Sequence, residues 1–401
     1  LHPYAIGRMY QIAESNDGAL FYSDYQEIRQ GKKIHHPTLE YQTGSIRNDF
    51  DFGQLLLFRN DSFQQVVAQM NTDYRFAALY ELRLSISRLG KIVHIPETLY
   101  TVQPTDLRLS GEKQFDYVDP ANREVQLEME AVCTAHLQAI GAWLAPEFQR
   151  IDFGQENFAR EASVIIPVRN RKRTIAEAVE SALQQQTDFS FNVIVVDNHS
   201  TDGTGQILTE LSRRYPNLIH HIPASTELGI GGCWTEAILL PECGKFAIQL
   251  DSDDLYKDCH VLQRIVDTFY QENCAMVIGS YQMVDFKLEE IPPGLIAHRE
   301  WTPDNGRNNA LRINGLGAPR AFYTPVLRQI KFPNVSYGED YATALAISRK
   351  YPIARIYDPL YLCRRWEENS DHDLDIQQLN NYNFYKDKIR TLEIQARISG
   401  K

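Results

Sequence analysis

The sequence predicts an α/β fold in which a parallel sheet is flanked by helices on both faces, and three observations predict it. From residue 162 onward, short β-branched runs alternate with amphipathic segments. Each run ends in polar, acidic or glycine-bearing residues, the composition of a loop at the carboxyl end of a strand. Part of the pattern also occurs a second time, near the start of the chain.

Taken in order, Ala162-Ser-Val-Ile-Ile-Pro is a buried strand that stops at Pro167. Residues 174–186 follow with Ile175, Ala178, Val179 and Leu183 at helical spacing. Residues 191–197 (Phe-Asn-Val-Ile-Val-Val-Asp) form a second buried strand, and 204–215 a second amphipathic helix. Residues 218–222 read as a third strand, 231–240 as a third helix and 245–250 as a fourth strand. Ligands of such sheets bind beyond the carboxyl ends of the strands. Those ends fall at 167–171, 197–203, 229–232 and 251–254.

The repeat is visible without gaps. Residues 80–100 (YELRLSISRLGKIVHIPETLY) align with 341–361 (YATALAISRKYPIARIYDPLY), and 9 of the 21 positions are identical. Upstream, 19–26 match 275–282 and 53–58 match 317–322, so the offset moves from 256 to 264 to 261. Four regions are expected: 1–100 as a truncated, degenerate copy, 101–160 as a helical linker, 161–370 as the complete domain and 371–401 as a C-terminal helix. The linker helix should start near Pro120. Leu1 aligns near Leu255, so the chain is read as a piece of a longer protein.

Composition narrows the function. The 401 residues carry 41 Lys+Arg against 52 Asp+Glu, a net charge of −11, which disfavours broad attraction to nucleic acid. No apolar run approaches the ~20 residues of a membrane span. The six cysteines are scattered without a C-x-x-C pair, as in a reduced, cytoplasmic protein.

Three features carry chemistry. Asp251-Ser-Asp253-Asp254 follows a buried strand directly, and carboxylates so placed can share a hard divalent cation that holds a diphosphate. Taken alone, such a motif is more often a solvated acidic turn. Asp197-Asn198-His-Ser-Thr-Asp-Gly sits at another strand end, where it can hydrogen-bond a nucleobase, cap a helix, or do both. Gly338-Glu339-Asp340 opens a helix; a carboxylate there is either a dipole partner or a general base.

Val164-Ile-Ile-Pro-Val-Arg-Asn-Arg, Val195-Val-Asp-Asn-His-Ser-Thr-Asp-Gly-Thr, Leu250-Asp-Ser-Asp-Asp-Leu and Gly338-Glu-Asp-Tyr, in this order, resemble a family 2 glycosyltransferase of GT-A fold over residues 162–370. The resemblance implies inverting, metal-dependent transfer of one sugar from a nucleotide-diphosphate sugar, with Mn²⁺ or Mg²⁺. By it, Pro167, Val168 and Arg169 line the base pocket and Asp197 or Asn198 reads the base. Asp251 lies near ribose and metal, Asp253 is the metal ligand, and Asp340 is the base with Glu339 as neighbour. The Arg-Asn of the usual loop before the third helix is replaced by Gly231-Gly-Cys, so diphosphate contacts there fall to backbone N–H groups. Trp366 stands where many relatives have a metal-binding His, with His372 nearby. Leu362 replaces the Gln of processive polymerases, which favours single-sugar transfer. Arg364 and Arg365 are either a phosphate clamp or partners of Glu367 and Glu368. Trp301, Gly315 and Gly317 are acceptor-side candidates.

In the first copy, Glu339 and Asp340 correspond to Ala78 and Leu79, so the base is missing, and Glu81 lies on another face. Leu79 is either a core residue or a relic of a pocket wall. The leading expectation is a glycosyltransferase of polysaccharide or glycan synthesis, with a glycan or lipid-linked acceptor and room for peripheral attachment to the inner face of a membrane. The rivals are a non-catalytic glycan- or nucleotide-sugar-binding scaffold and a sugar nucleotidyltransferase. No motif sets an oligomeric state.

Overall fold

The computed structural model describes every residue except 72, 104–121, 155, 367–373 and 401. Pro120, Glu367, Glu368 and His372 therefore lie outside the described residues. The chain divides into two units. One comprises Leu1–Ala145, Asn308–Asn314 and Asp373–Lys401, and the other Pro146–Arg307 and Gly315–His372. The helix read as a linker and the C-terminal helix both belong to the first unit.

In chain order the elements are α1 (Ala5–Glu14), β1 (Gly18–Arg29), β2 (Lys32–His36), β3 (Leu57–Phe58), α2 (Asn60–Val67), α3 (Ala78–Leu89), β4 (Lys91–Val102) and α4 (Arg123–Ala139). The second unit contributes β5 (Ala162–Val168), α5 (Ile175–Leu183), β6 (Phe191–Asp197), α6 (Thr204–Arg214), β7 (Leu218–His221), α7 (Ile230–Leu239), β8 (Phe246–Gln249), β9 (Leu255–Tyr256) and α8 (Val261–Glu272). The chain continues with β10 (Met276–Val284), β11 (Glu290–Ile296), α9 (Gly306–Asn309, at the boundary of the two units), β12 (Arg320–Tyr323), α10 (Thr324–Ile330), α11 (Glu339–Ser348) and β13 (Ile353–Arg364). The last helix, α12 (Ile376–Ile398), returns to the first unit.

The sheet of the second unit runs β7-β6-β5-β8-β12-β10-β13-β9, with β11 paired to β10. β5 is parallel to β6 and β8, and β6 to β7. The expected parallel sheet is thus one half of a larger mixed sheet, because β12 enters antiparallel between β8 and β10. The β-branched runs Val164–Ile166 and Val193–Val196 are buried, as strands covered on both faces should be. Their carboxyl ends lead into the 168–174 and 197–204 loops, which hold each other: Asn170 N–H donates to Ser200 Oγ at 2.9 Å and Thr201 N–H to Asn170 Oδ1 at 2.8 Å.

The first unit is built around β1. Alternate residues serve opposite faces of the strand. Phe21 and Tyr25 pack with Met9, Leu99 and Tyr100, whereas Leu20 and Tyr22 pack with Phe50, Phe52 and Ile86. The pairing of β1 carries the same offsets as the sequence repeat. Leu20 lies opposite Phe58 and Ile92; Met276 lies opposite Phe322 and Ile353. Tyr25 pairs with Tyr100 and His36; Tyr281 pairs with Tyr361 and Ile296. Gly53 and Gly317, matched in the repeat, both have positive φ (66° and 99°).

Leu79 is 56% exposed and Ala78 is exposed too. Of the two readings left open for Leu79, the core one is therefore excluded: on α3 the buried face is carried by Tyr80, Leu84 and Ile86. The double variant Ala78→Glu/Leu79→Asp should stay within about 0.5 kcal/mol per site of the parent, the usual range for surface changes. It should also create no transfer activity in a protein carrying Asp340→Asn. A fall in thermal midpoint beyond a few degrees, or any rescued turnover, would contradict this.

Candidate active site

Four loops of the second unit supply the candidate residues, and β8 is the axis on which they meet. Asp251, Asp253 and Asp254 leave its carboxyl end. Asp254 is buried, and Arg364 N–H donates to its Oδ1 at 2.8 Å. Burial first, then the charges of Asp253 and Asp251, pushes its carboxyl well above the usual range. Asp253 is raised for the same reasons, burial followed by Asp251, with Trp366 and Arg171 opposing. The Trp366 indole Nε1–H donates to Asp253 Oδ2 at 3.1 Å, and Arg171 Nε lies 3.7 Å from that oxygen. An indole nitrogen is a donor only, so Trp366 orients Asp253 and does not replace the histidine of relatives as a ligand.

Asp251 is held from the strand itself. Gln249 Nε2 donates to both of its oxygens, at 2.9 and 3.0 Å. Gln249 Oε1 accepts from Arg320 N–H at 3.1 Å and from Arg320 Nε at 3.0 Å, and Arg320 Nη1 forms an ion pair with Asp340 Oδ2. One polar chain thus joins the expected base to the expected metal motif: Asp340, Arg320, Gln249, Asp251. Neither Gln249 nor Arg320 was singled out in the sequence. The signal was there for Gln249, an amide inside the otherwise apolar strand Phe246-Ala-Ile-Gln. It is 4% exposed, and a polar group that deeply placed has partners.

The nucleotide side is formed by the ends of β5 and β6. Val168 is buried, Pro167 half-buried and Arg169 exposed. Asn198 N–H donates to Val168 O at 2.8 Å, and Asn198 Nδ2 to Leu228 O at 2.7 Å. Asn198 Oδ1 is buried and has no hydrogen-bond partner among the described residues. Asp197 is turned inward. It accepts from Ser200 N–H at 2.9 Å and contacts His220 Nε2 at 3.3 Å. Burial raises its carboxyl, but the bonds from His220 and Ser200 outweigh this and hold it below the usual range. Beside Asp253 lies a cavity of about 400 Å³ lined by Asn170, Arg171, Lys172, Arg173, Asp202 and Trp366. Arg173 stacks over Phe286 at 4.0 Å and over Trp366 at 5.4 Å.

The remaining candidates contact other parts of the protein. The Gly231 amide donates to Val335 O at 2.9 Å, and Gly229 N–H to Asn334 Oδ1 at 2.7 Å, so the start of α7 spends its donors on the 333–336 loop. Gly231 is small because a Cβ would collide with the Pro333 carbonyl. Arg364 is 1% exposed and bonded to Glu177 and to the Asp253 carbonyl, which makes it a buried brace of the acidic loop. Arg365, half-buried, donates its N–H to Val284 O at 2.9 Å. Trp301 is 6% exposed, with its ring against Gly306, so its faces are occupied by protein. Gly317 packs against the His298 ring, itself held at 2.8 Å by Glu300. Gly315 is half-buried, and Glu339 opens α11 beside Asp340. Among the described residues, no three His, Cys, Asp or Glu side chains gather as a metal-binding group, and no helix is long and apolar enough to cross a membrane.

Gln249→Leu removes the middle of the polar chain and leaves Arg320 and Asp251 without its amide. Unsatisfied buried partners cost about 1–3 kcal/mol. Urea unfolding should show that loss with an unchanged m value; a neutral substitution would show that the chain does not hold the site.

Residues 163–330 match the family model "Glycosyl transferase family 2". An uncharacterized glycosyltransferase of Nostoc sp. is 32% identical over 123 residues, 31% of this chain and 37% of that protein. The poly(ribitol-phosphate) beta-glucosyltransferase of Bacillus spizizenii is 24% identical over 230 residues, 56% of this chain and 35% of that one. The chain thus spans little more than a third of the length of these two relatives. The solved structure of S. aureus TarS 1-349 in complex with UDP-GlcNAc is 22% identical, covers 59% of this chain and 72% of that one, and superposes with a TM-score of 0.46. Residues 163–330, most of the second unit, are thus similar to glycosyl transferase family 2, with the motifs in place on an α/β sheet.

Proposed function

We propose that the second unit transfers one sugar, with inversion, from a nucleoside-diphosphate sugar to a hydroxyl of a glycan or lipid-linked acceptor. The observation that carries this reading is the chain Asp340–Arg320–Gln249–Asp251, which fixes a carboxylate for the acceptor relative to a carboxylate for the donor. Asn198 Oδ1 supports it as a buried acceptor for a base N–H. The basic cavity at Arg171, Lys172 and Arg173 supports it as the place for diphosphate charge, in the stead of the α7 amides.

The residues fit a hard divalent cation. Asp251 and Asp253 offer oxygen ligands, and burial with mutual repulsion raises the Asp253 carboxyl, a strain that a cation relieves. Mn²⁺ or Mg²⁺ typically takes one or two carboxylates and completes its shell with phosphate and water, and bound there it would supply positive charge to the departing diphosphate. Arg320 occupies Asp340 Oδ2, so Oδ1 is the oxygen offered to the acceptor. In the transfer, the hydroxyl oxygen bonds the anomeric carbon as its proton moves to Asp340. The bond to the diphosphate oxygen breaks with its electron pair, and Arg171 and Arg173 meet the charge released. Glu339 stands as the neighbouring alternative to Asp340. The name of the Bacillus spizizenii relative favours a polyol-phosphate polymer as the acceptor.

Asp253→Ala should abolish Mn²⁺-dependent donor binding while the fold survives, measured by calorimetric titration of a panel of nucleoside diphosphates with and without Mn²⁺. Equal affinity in parent and variant would take Asp253 out of the site. Asp340→Asn should keep nucleotide binding and lose about 10²–10⁴-fold in transfer, the worth of a general base. If Glu339→Gln is the inactive protein and Asp340→Asn turns over normally, the base is Glu339.

A further inference from the structure

The first unit holds a cavity that the proposed chemistry does not use. Its volume is about 520 Å³, within the range of small-ligand sites. Its walls are the outer ends of β1 and β2, the 48–51 loop and the start of α12. The polar side chains there are arranged as a linked set. His36 contacts Glu27 at 3.2 Å through Nδ1 and Asp51 at 2.9 Å through Nε2. Tyr25 Oη donates to Asp51 Oδ2 at 3.0 Å, and Arg29 meets Glu27 at 2.6 Å. Glu27 is only 8% exposed, yet it faces a cavity that an apolar side chain could have filled. Leaving a cavity and desolvating a carboxylate both cost stability, and such costs gather at functional sites.

The repeat says what kind of place this is. By the offsets that the strand registers carry, Asp51 and Gly53 stand where the second unit has Gly315 and Gly317. Tyr25 and Tyr100 stand where it has Tyr281 and Tyr361. The cavity therefore lies at the position that corresponds to Tyr281 and Gly315 in the second unit, in a copy where Ala78 and Leu79 stand in place of Glu339 and Asp340. Arg29 is paired with Glu27, His36 lies against both Glu27 and Asp51, and Asp49 is held by Arg47 at 2.9 Å. No surplus positive charge remains for a phosphate. What remains is a ring of alternating donors and acceptors, beside the apolar Leu379, which suits the hydroxyls and CH faces of an uncharged pyranose.

We propose that this cavity is a second, non-catalytic glycan subsite, which binds an uncharged sugar unit of the acceptor. The inference rests on the glycosyltransferase reading of the second unit. Saturation-transfer NMR on the full chain tests it with four probes: the methyl β-glycosides of glucose, galactose and N-acetylglucosamine, and glycerol phosphate as the anionic arm. At least one pyranoside should receive saturation from the parent protein, and glycerol phosphate should receive none at this site. Asp51→Asn and the cavity-filling Leu379→Trp should each weaken that contact at least tenfold, with the thermal midpoint of at least one variant held. Mn²⁺-dependent nucleotide binding, read on the same samples, should be unchanged in both. No transfer to any pyranoside, or transfer that survives both variants, overturns the subsite. Loss of nucleotide binding in the parent itself would instead count against the glycosyltransferase reading.

Discussion

Three carboxylates crowd the four residues that leave β8, and the architecture around them is what keeps them there. Carboxylates so close, partly out of water, repel one another by several kcal/mol unless each has its own partner. The second unit gives each a different one. Asp251 accepts from the Gln249 amide nitrogen at both oxygens, Asp253 takes the Trp366 indole with Arg171 behind it, and Asp254 takes the Arg364 backbone. These partners come from β8 itself, from the loop after β5 and from the end of β13. The acidic loop is therefore where the two halves of the sheet are tied to each other, and most of the site's other positions follow from that.

The same economy explains the surroundings of the other candidates. Arg364 had to be buried because its backbone and side chain both brace the acidic loop. Trp366 serves Asp253 as a donor, which orients the carboxylate without being a ligand. Gly231 had to be small because α7 starts under the 333–336 loop, which takes the Gly229 and Gly231 amides. Positive charge gathers instead at Arg171, Lys172 and Arg173, around the cavity beside Asp253.

The first unit follows a related rule with different members. There α12 brings buried charges to the sheet, and each is matched: Asp387 accepts from Arg47 at 3.2 Å, from Ser45 at 2.9 Å and from Arg390 at 2.8 Å. Breaking a buried pair costs far more than forming it gains, so such a network specifies where a helix sits more than it adds stability. The sequence marks 371–401 as a separate C-terminal helix, but not the side that faces the first unit. Its buried face is largely charged, and hydrophobic periodicity is blind to a face of that kind.

What the sequence by itself determined is the set of local facts: the β-branched strands, the helices between them, the acidic and glycine-bearing loops at their carboxyl ends, and the repeat whose offsets reappear in the strand registers. Those follow from periodicity and turn chemistry, which act over a few residues and leave a pattern in composition. It also sufficed to pick out Asp251, Asp253, Asn198 and Asp340 as candidates, since their positions at strand ends and a helix start are local. Only the tertiary structure decided which side chains face one another. Gln249 and Arg320 are 71 residues apart in the chain, and Asp253 and Trp366 are 113 apart, yet each pair is in hydrogen-bond contact. Such partners are chosen by the folding of the sheet and by the need of buried charge for a counterpart. Neither leaves a spacing in the sequence, because the chain between the partners can take any length that lets the strands meet.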